Sequence, residues 1–124
     1  MRALNGARDG LSAQERGVAA ICDLRQEVNS GGFDSYFRYW GGDSAPEALG
    51  ALRETLGAGW AELLREGMAL FGPDYSRDSA VREAVIDDRG LDVRFEELDA
   101  RFFELEAATD SDRILSQHLA AGAP

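Results

Sequence analysis

The stretch Glu27-Val28-Asn29-Ser30-Gly31-Gly32-Phe33-Asp34-Ser35-Tyr36-Phe37 contains both a helix end and a helix start. Asparagine and glycine accept the left-handed backbone of a helix terminus at low steric cost, so Asn29 to Gly32 is expected to close one helix. Phe33, Tyr36, Phe37 and Trp40 then recur at spacings of three, four and seven. Four aromatics therefore line one side of a short second helix, which Gly41-Gly42 stops. Upstream, Ser12-Ala13-Gln14-Glu15 has the form in which a hydroxyl and a carboxylate satisfy each other's free backbone amides at a helix start. Val18, Ile21, Cys22, Leu24 and Val28 follow as a buried stripe.

Downstream the same grammar repeats. Ser44-Ala45-Pro46-Glu47 reads as a second capping signature, ahead of a stripe of Ala48, Leu49, Leu52 and Leu56. Gly57-Ala58-Gly59 marks a corner, and Trp60, Leu63, Leu64, Gly67, Met68 and Phe71 carry a helix that Gly72-Pro73 terminates. From Asp78 to Asp88 a weaker stripe of Val81, Ala84 and Val85 gives another helix, closed by Gly90. Phe95, Leu98, Phe102 and Leu105 fall within an arc of about 80° at 100° per residue. Thr109 or Asp110 is placed to cap a last helix that uses Ile114, Leu115 and Leu119. No run alternates with period two. The expected fold is all-α, a compact single-domain bundle of six or seven short helices over residues 1–124, with frayed tails at 1–10 and 120–124.

Composition narrows the function. All 13 basic residues are arginine, against 23 acidic ones, for a net charge of −10. The absence of lysine excludes Schiff-base chemistry and a phosphate-loop lysine. The charge repels nucleic acid and anionic lipid, so neither direct nucleic-acid binding nor a membrane partner is expected. With neither a signal-peptide core nor an apolar run of about 18 residues, a cytoplasmic location is expected. One cysteine and one histidine cannot build a disulfide or a zinc site. Cys22, on an apolar stripe, reads as a small core hydrophobe rather than a nucleophile. His118 reads as a surface or capping group near a helix C-terminus rather than a general base. No catalytic, cofactor-binding or calcium-loop motif is present, and no cofactor or metal is expected.

The acids are unevenly placed. Residues 78–112 hold twelve acids against four arginines, a local net of −8, whereas residues 1–77 carry only −3. Carboxylates four residues apart on a helix stand about 6 Å apart along its axis, inside the screening length of about 8 Å. One DNA strand carries a phosphate every 3.4 Å or so. Asp92 and Glu96 make one such step, Glu97 and Glu104 align a heptad apart, and Asp99 and Glu106 share a neighbouring line. Phe103 projects about 120° from the apolar arc and needs a cover from another helix or a partner.

The 27–37 stretch, with Gly42-Asp43, Glu47-Ala48-Leu49, Leu52 and Gly57-Ala58, resembles the core signature of a bacterial all-helical family named after an acidic DNA-mimic protein. Leu91-Asp92, Phe95, Leu98-Asp99 and Phe102-Phe103-Glu104-Leu105 are similar to its second recurring block. The resemblance implies a helical, dimeric protein whose named member occupies the DNA-binding face of a transcription factor with an acidic surface. Tyr39 and Trp40 depart from the short polar pair common in that family. A polar site in their loop is therefore not expected, which leaves Glu27 and Asn29 as polar contributors.

The combined expectation is a non-enzymatic interaction module in bacterial transcription regulation. Its partner-binding face is Asp87, Asp88, Asp92, Glu96, Glu97, Asp99 and Glu104, and its partner a basic nucleic-acid-binding protein, with a homodimer possible. Two other classes compete. One is an immunity or antitoxin protein that plugs a dedicated toxin through aromatic anchors. The other is a metal-dependent hydrolase using Asp87, Asp88, Asp92, Glu96 and Glu97 as oxygen ligands.

Overall fold

The computed structural model describes residues 11–122, and the expected tail at 1–10 lies outside them. Six α-helices occur among the described residues, with no strand: α1 (Ala13–Arg38), α2 (Ala45–Glu54), α3 (Ala58–Ala69), α4 (Ser79–Arg89), α5 (Asp92–Ala108) and α6 (Ser111–Gly122). A single 3₁₀ turn, Trp40–Ser44, joins α1 to α2. At the other end of the chain the helix runs on through Gly122, into the span expected to fray.

α1 is the spine. Its start is the expected capping box: the Ser12 hydroxyl accepts from the Glu15 amide, and the Glu15 carboxylate accepts from the Ser12 amide. Asn29 and Ser30 lie within the helix rather than ending it, and the break falls at Gly32 alone, with φ 76° and ψ 179°. A side chain is disfavoured in that region, so glycine is what lets two helical segments meet there. The second segment turns Phe33, Tyr36 and Phe37 fully inward.

Those rings make the centre of the core. Phe37 stacks on Phe33 and Phe95 with centroids 5.8 and 5.4 Å apart, and meets Phe71 and Tyr75 obliquely. Phe102, from α5, stands edge-on to Phe33 and Trp60. Burying each such ring contributes about 1.5–3 kcal/mol, and edge or offset geometry adds to it. α1 packs against α2, α4, α5 and α6, while α3 packs against α2 and α5.

Several local expectations are corrected. Trp40 leaves the aromatic side and is 61% exposed, because α1 ends at Arg38 and the chain turns through the 3₁₀ segment. Cys22 is exposed, since its position lies one step off the face that buries Ile21 and Leu24. Ser44 starts α2 without capping it; Pro46 sits in the first turn instead. Phe71 is buried in the turn beyond α3 rather than within the helix. Asp110 stands directly before α6 and its carbonyl accepts from the Ile114 amide, while its carboxylate pairs with Arg113 and the Thr109 hydroxyl accepts from the Trp60 indole. The buried residues of α4 are Arg82 and Ile86, with Val81 exposed.

Candidate interaction surface

α4 runs from its cap at Asp78, whose carboxylate accepts from the Ala80 amide, to Gly90 in a left-handed conformation. That turn delivers the chain to α5, which Phe95, Leu98 and Phe102 fix on the core. With that arc inward, the helix must carry its remaining side chains on its flanks and its outer side. The carboxylates divide accordingly.

The Asp99–Glu106 line lies beside the buried arc and faces α1. Asp99 Oδ1 accepts from the Phe33 amide at 2.7 Å, capping the second segment of α1 across the Gly32 break. Burial raises the Asp99 pKa above the usual carboxylate value, and the bond to the Phe33 amide offsets part of that rise. Glu106 receives the Arg25 guanidinium at 3.0 Å and the Asn29 amide at 2.7 Å. Arg25 also takes Asp112 at 2.8 Å. Of the two polar residues singled out in the signature, Asn29 thus belongs to this bridge, and Glu27 accepts from the Ser35 hydroxyl. Asp99 is a structural cap, set apart from the other residues proposed for the face.

The outer side is different. Asp88, Asp92, Glu96, Glu97 and Glu104 are exposed and make no hydrogen bond or ion pair among the described residues. Asp87 pairs with Arg38 at 2.9 Å, but Arg38 also serves Asp34 and Glu83, one cation among three carboxylates. Around α5 the unpaired acids form two rows. Asp92 and Glu96 make one and Glu97 and Glu104 the other, with Val93 and Ala100 between them. Val93 is 62% exposed; Phe103, beside the first row, is 47% exposed and touches Phe102 edge-on. Beyond Glu97 a shallow hollow is lined by Glu66, Leu70, Arg94 and Arg101. Arg101 is committed there, with a two-bond fork onto Glu66 at 2.8 Å that holds the Glu66 pKa below its usual value.

The acids do not converge. Among the described residues no group of three or more His, Cys, Asp or Glu side chains is placed to hold a metal ion, so the carboxylate set of the hydrolase reading is not assembled. His118 is half-buried in α6, where its carbonyl accepts from Gln14 at 2.8 Å. No described helix is long and apolar enough to cross a membrane.

Sequence reasoning missed Arg82, which is fully buried. Its guanidinium donates to the carbonyls of Phe37 at 2.7 Å, Ser76 at 2.8 Å and Tyr39 at 2.8 Å, and to Asp43 at 2.7 Å. It also lies 5.6 Å from the centroid of the Tyr75 ring. The available signal was its spacing of four from Ile86, which places both on the inward face of α4.

Neither the curated proteins nor the solved structures contain a match to this chain. A family model described as DMP19-like protein matches residues 9–121, nearly the full length. The helical bundle agrees with that match, and the chain belongs to the DMP19-like protein family, an all-helical family.

Proposed function

We propose that the chain is a DNA mimic that binds a basic nucleic-acid-binding protein through the outer side of α4 and α5. The residues assigned to the contact are Asp87, Asp88, Asp92, Glu96, Glu97 and Glu104. The supporting observation is the split among the acids: those facing α1 are satisfied inside the fold, while five on the outer side stand exposed and unpaired among the described residues. Glu97 and Glu104 are about 10.5 Å apart along the helix axis, close to three phosphate steps of a DNA strand at about 10 Å. Like charges at such spacings repel, and carboxylates exposed without a bonded cation among the described residues suit a partner that supplies the cations.

In this reading each carboxylate takes an arginine or lysine that otherwise contacts phosphate, so the partner cannot hold DNA and this chain together. The test is co-precipitation from the host lysate at low and high ionic strength with wild type and with a Glu96→Gln, Glu97→Gln, Glu104→Gln variant. Asp99 is left intact because its carboxylate caps Phe33. A basic DNA-binding protein should be captured at low salt, released at high salt and lost by the variant. Unchanged capture by the variant overturns the assignment of the face, and a salt-resistant complex with a single toxin favours the immunity reading.

A further inference from the structure

We propose that Tyr39 and Trp40 form an aromatic seat for arginine side chains, so that the chain prefers an arginine-rich partner surface to a lysine-rich one. This rests on the reading that the partner is a basic protein. Tyr39 is 55% exposed and Trp40 61%, adjacent in sequence at the junction of α1 and the 3₁₀ turn. Two large rings held in water leave apolar area that a partner would cover with gain.

The backbone that carries them is fixed. Buried Arg82 binds the Tyr39 carbonyl and the Asp43 carboxylate through the same nitrogen, Nη2, at 2.8 and 2.7 Å. The Tyr75 hydroxyl donates to the Gly42 carbonyl at 2.6 Å, and the Tyr39 amide donates to the Ser35 carbonyl at 3.1 Å. A rigidly presented aromatic loses little freedom on binding, which suits it to anchor an interface.

Along the chain, residues that carry or gather carboxylates stand on both sides of the pair. Arg38, immediately before Tyr39, gathers Asp34, Glu83 and Asp87, whose three negative charges outnumber its own. Asp43 follows, with its carboxylate part exposed. Asp87 also belongs to the proposed acidic face, and its pair with Arg38 ties that face to the residue next to Tyr39. An incoming guanidinium is flat and weakly hydrated: it can lie on a ring while its edge donates to a carboxylate. An ammonium has no plane to stack and holds its water more tightly. The combination of rings and acids therefore selects arginine.

The probes are synthetic deca-arginine and deca-lysine peptides, titrated at low salt into wild type, a Tyr39→Leu, Trp40→Leu variant and the Glu96→Gln, Glu97→Gln, Glu104→Gln variant. Trp60 is buried, so acrylamide quenching reports chiefly on Trp40. Wild type is expected to bind deca-arginine about threefold or more tighter than deca-lysine, with Trp40 shielded from the quencher. The leucine variant should retain its circular dichroism and its deca-lysine affinity while the preference falls towards unity. Equal binding of the two peptides to wild type, or a preference unchanged in the leucine variant, overturns the aromatic seat. The glutamine variant separates the two ideas. If it binds both peptides as tightly as wild type does, the acidic face fails while an arginine preference lost in the leucine variant still upholds the seat. Binding of neither peptide to wild type overturns both.

Discussion

Replacing Arg82 with alanine removes one side chain and strips a donor from three main-chain carbonyls and one carboxylate. The bond to Phe37 is buried and those to Ser76 and Tyr39 are part-buried. Hydrogen bonds to a charged group contribute about 1.5–3 kcal/mol each, which puts three near or above about 4.5 kcal/mol. Water reaching the outer two carbonyls returns part of that, and removing one partner of a buried charged network typically costs about 3–5 kcal/mol. With a urea dependence of about 1.5 kcal/mol per molar, the unfolding midpoint of Arg82→Ala should fall by about 2–3 M. Arg82→Lys keeps a cation but not the fork that reaches several carbonyls at once, so it should lose about 2 kcal/mol and remain measurable if the alanine variant does not fold. Equilibrium urea unfolding followed by far-ultraviolet circular dichroism gives both numbers. An Arg82→Ala protein within about 1 kcal/mol of wild type would refute the assignment of Arg82 as the clamp on the aromatic loop.

The remaining predictions probe the Gly32 break and the surface. Asp99→Ala should cost about 1–2 kcal/mol through the lost cap on Phe33, whereas Asp99→Asn keeps an acceptor and should cost little. Because burial raises the Asp99 pKa in the folded state, its favourable contribution is present below the usual carboxylate value and lost as pH rises through the raised one. Unfolding curves should therefore show Asp99→Asn gaining on wild type from pH 3 to pH 7, and the opposite trend would contradict the burial argument. Gly32→Ala should lose at least about 2 kcal/mol, since its φ is 76° and a Cβ there would stand 2.5 Å from Asp99 Oδ2. Cys22 is exposed, so a thiol reagent should label the native protein without denaturant; labelling that requires unfolding would place it in the core after all.

Much of the fold was legible because helix boundaries and core stripes are written in local spacing. The Ser12 box, the aromatics 33, 36 and 37, and Phe95, Leu98 and Phe102 all took their expected places. What local spacing does not reveal is which neighbour a flank meets. Asp99 and Glu106 share a line on α5 that reads as one more acidic row, yet that line abuts α1, where a free amide at Phe33 and the side chains of Arg25 and Asn29 receive it. Arg82 was missed for the same reason. A charged residue on a helix reads as solvent-facing until the chain supplies carbonyls for it, and these come from the end of α1 and the segment before α4. Trp40 fits the spacing of the aromatic side but falls past the end of α1, where that spacing no longer applies.

In the proposed complex the carboxylates on the outer side of α4 and α5 occupy the place of phosphates on a basic protein. The most direct measurement is to titrate duplex DNA into the purified complex of this chain with its captured partner while following both by fluorescence anisotropy. DNA should displace the chain one for one, with the midpoint set by the ratio of the two affinities. A stable ternary complex, with the chain retained at saturating DNA, would contradict it.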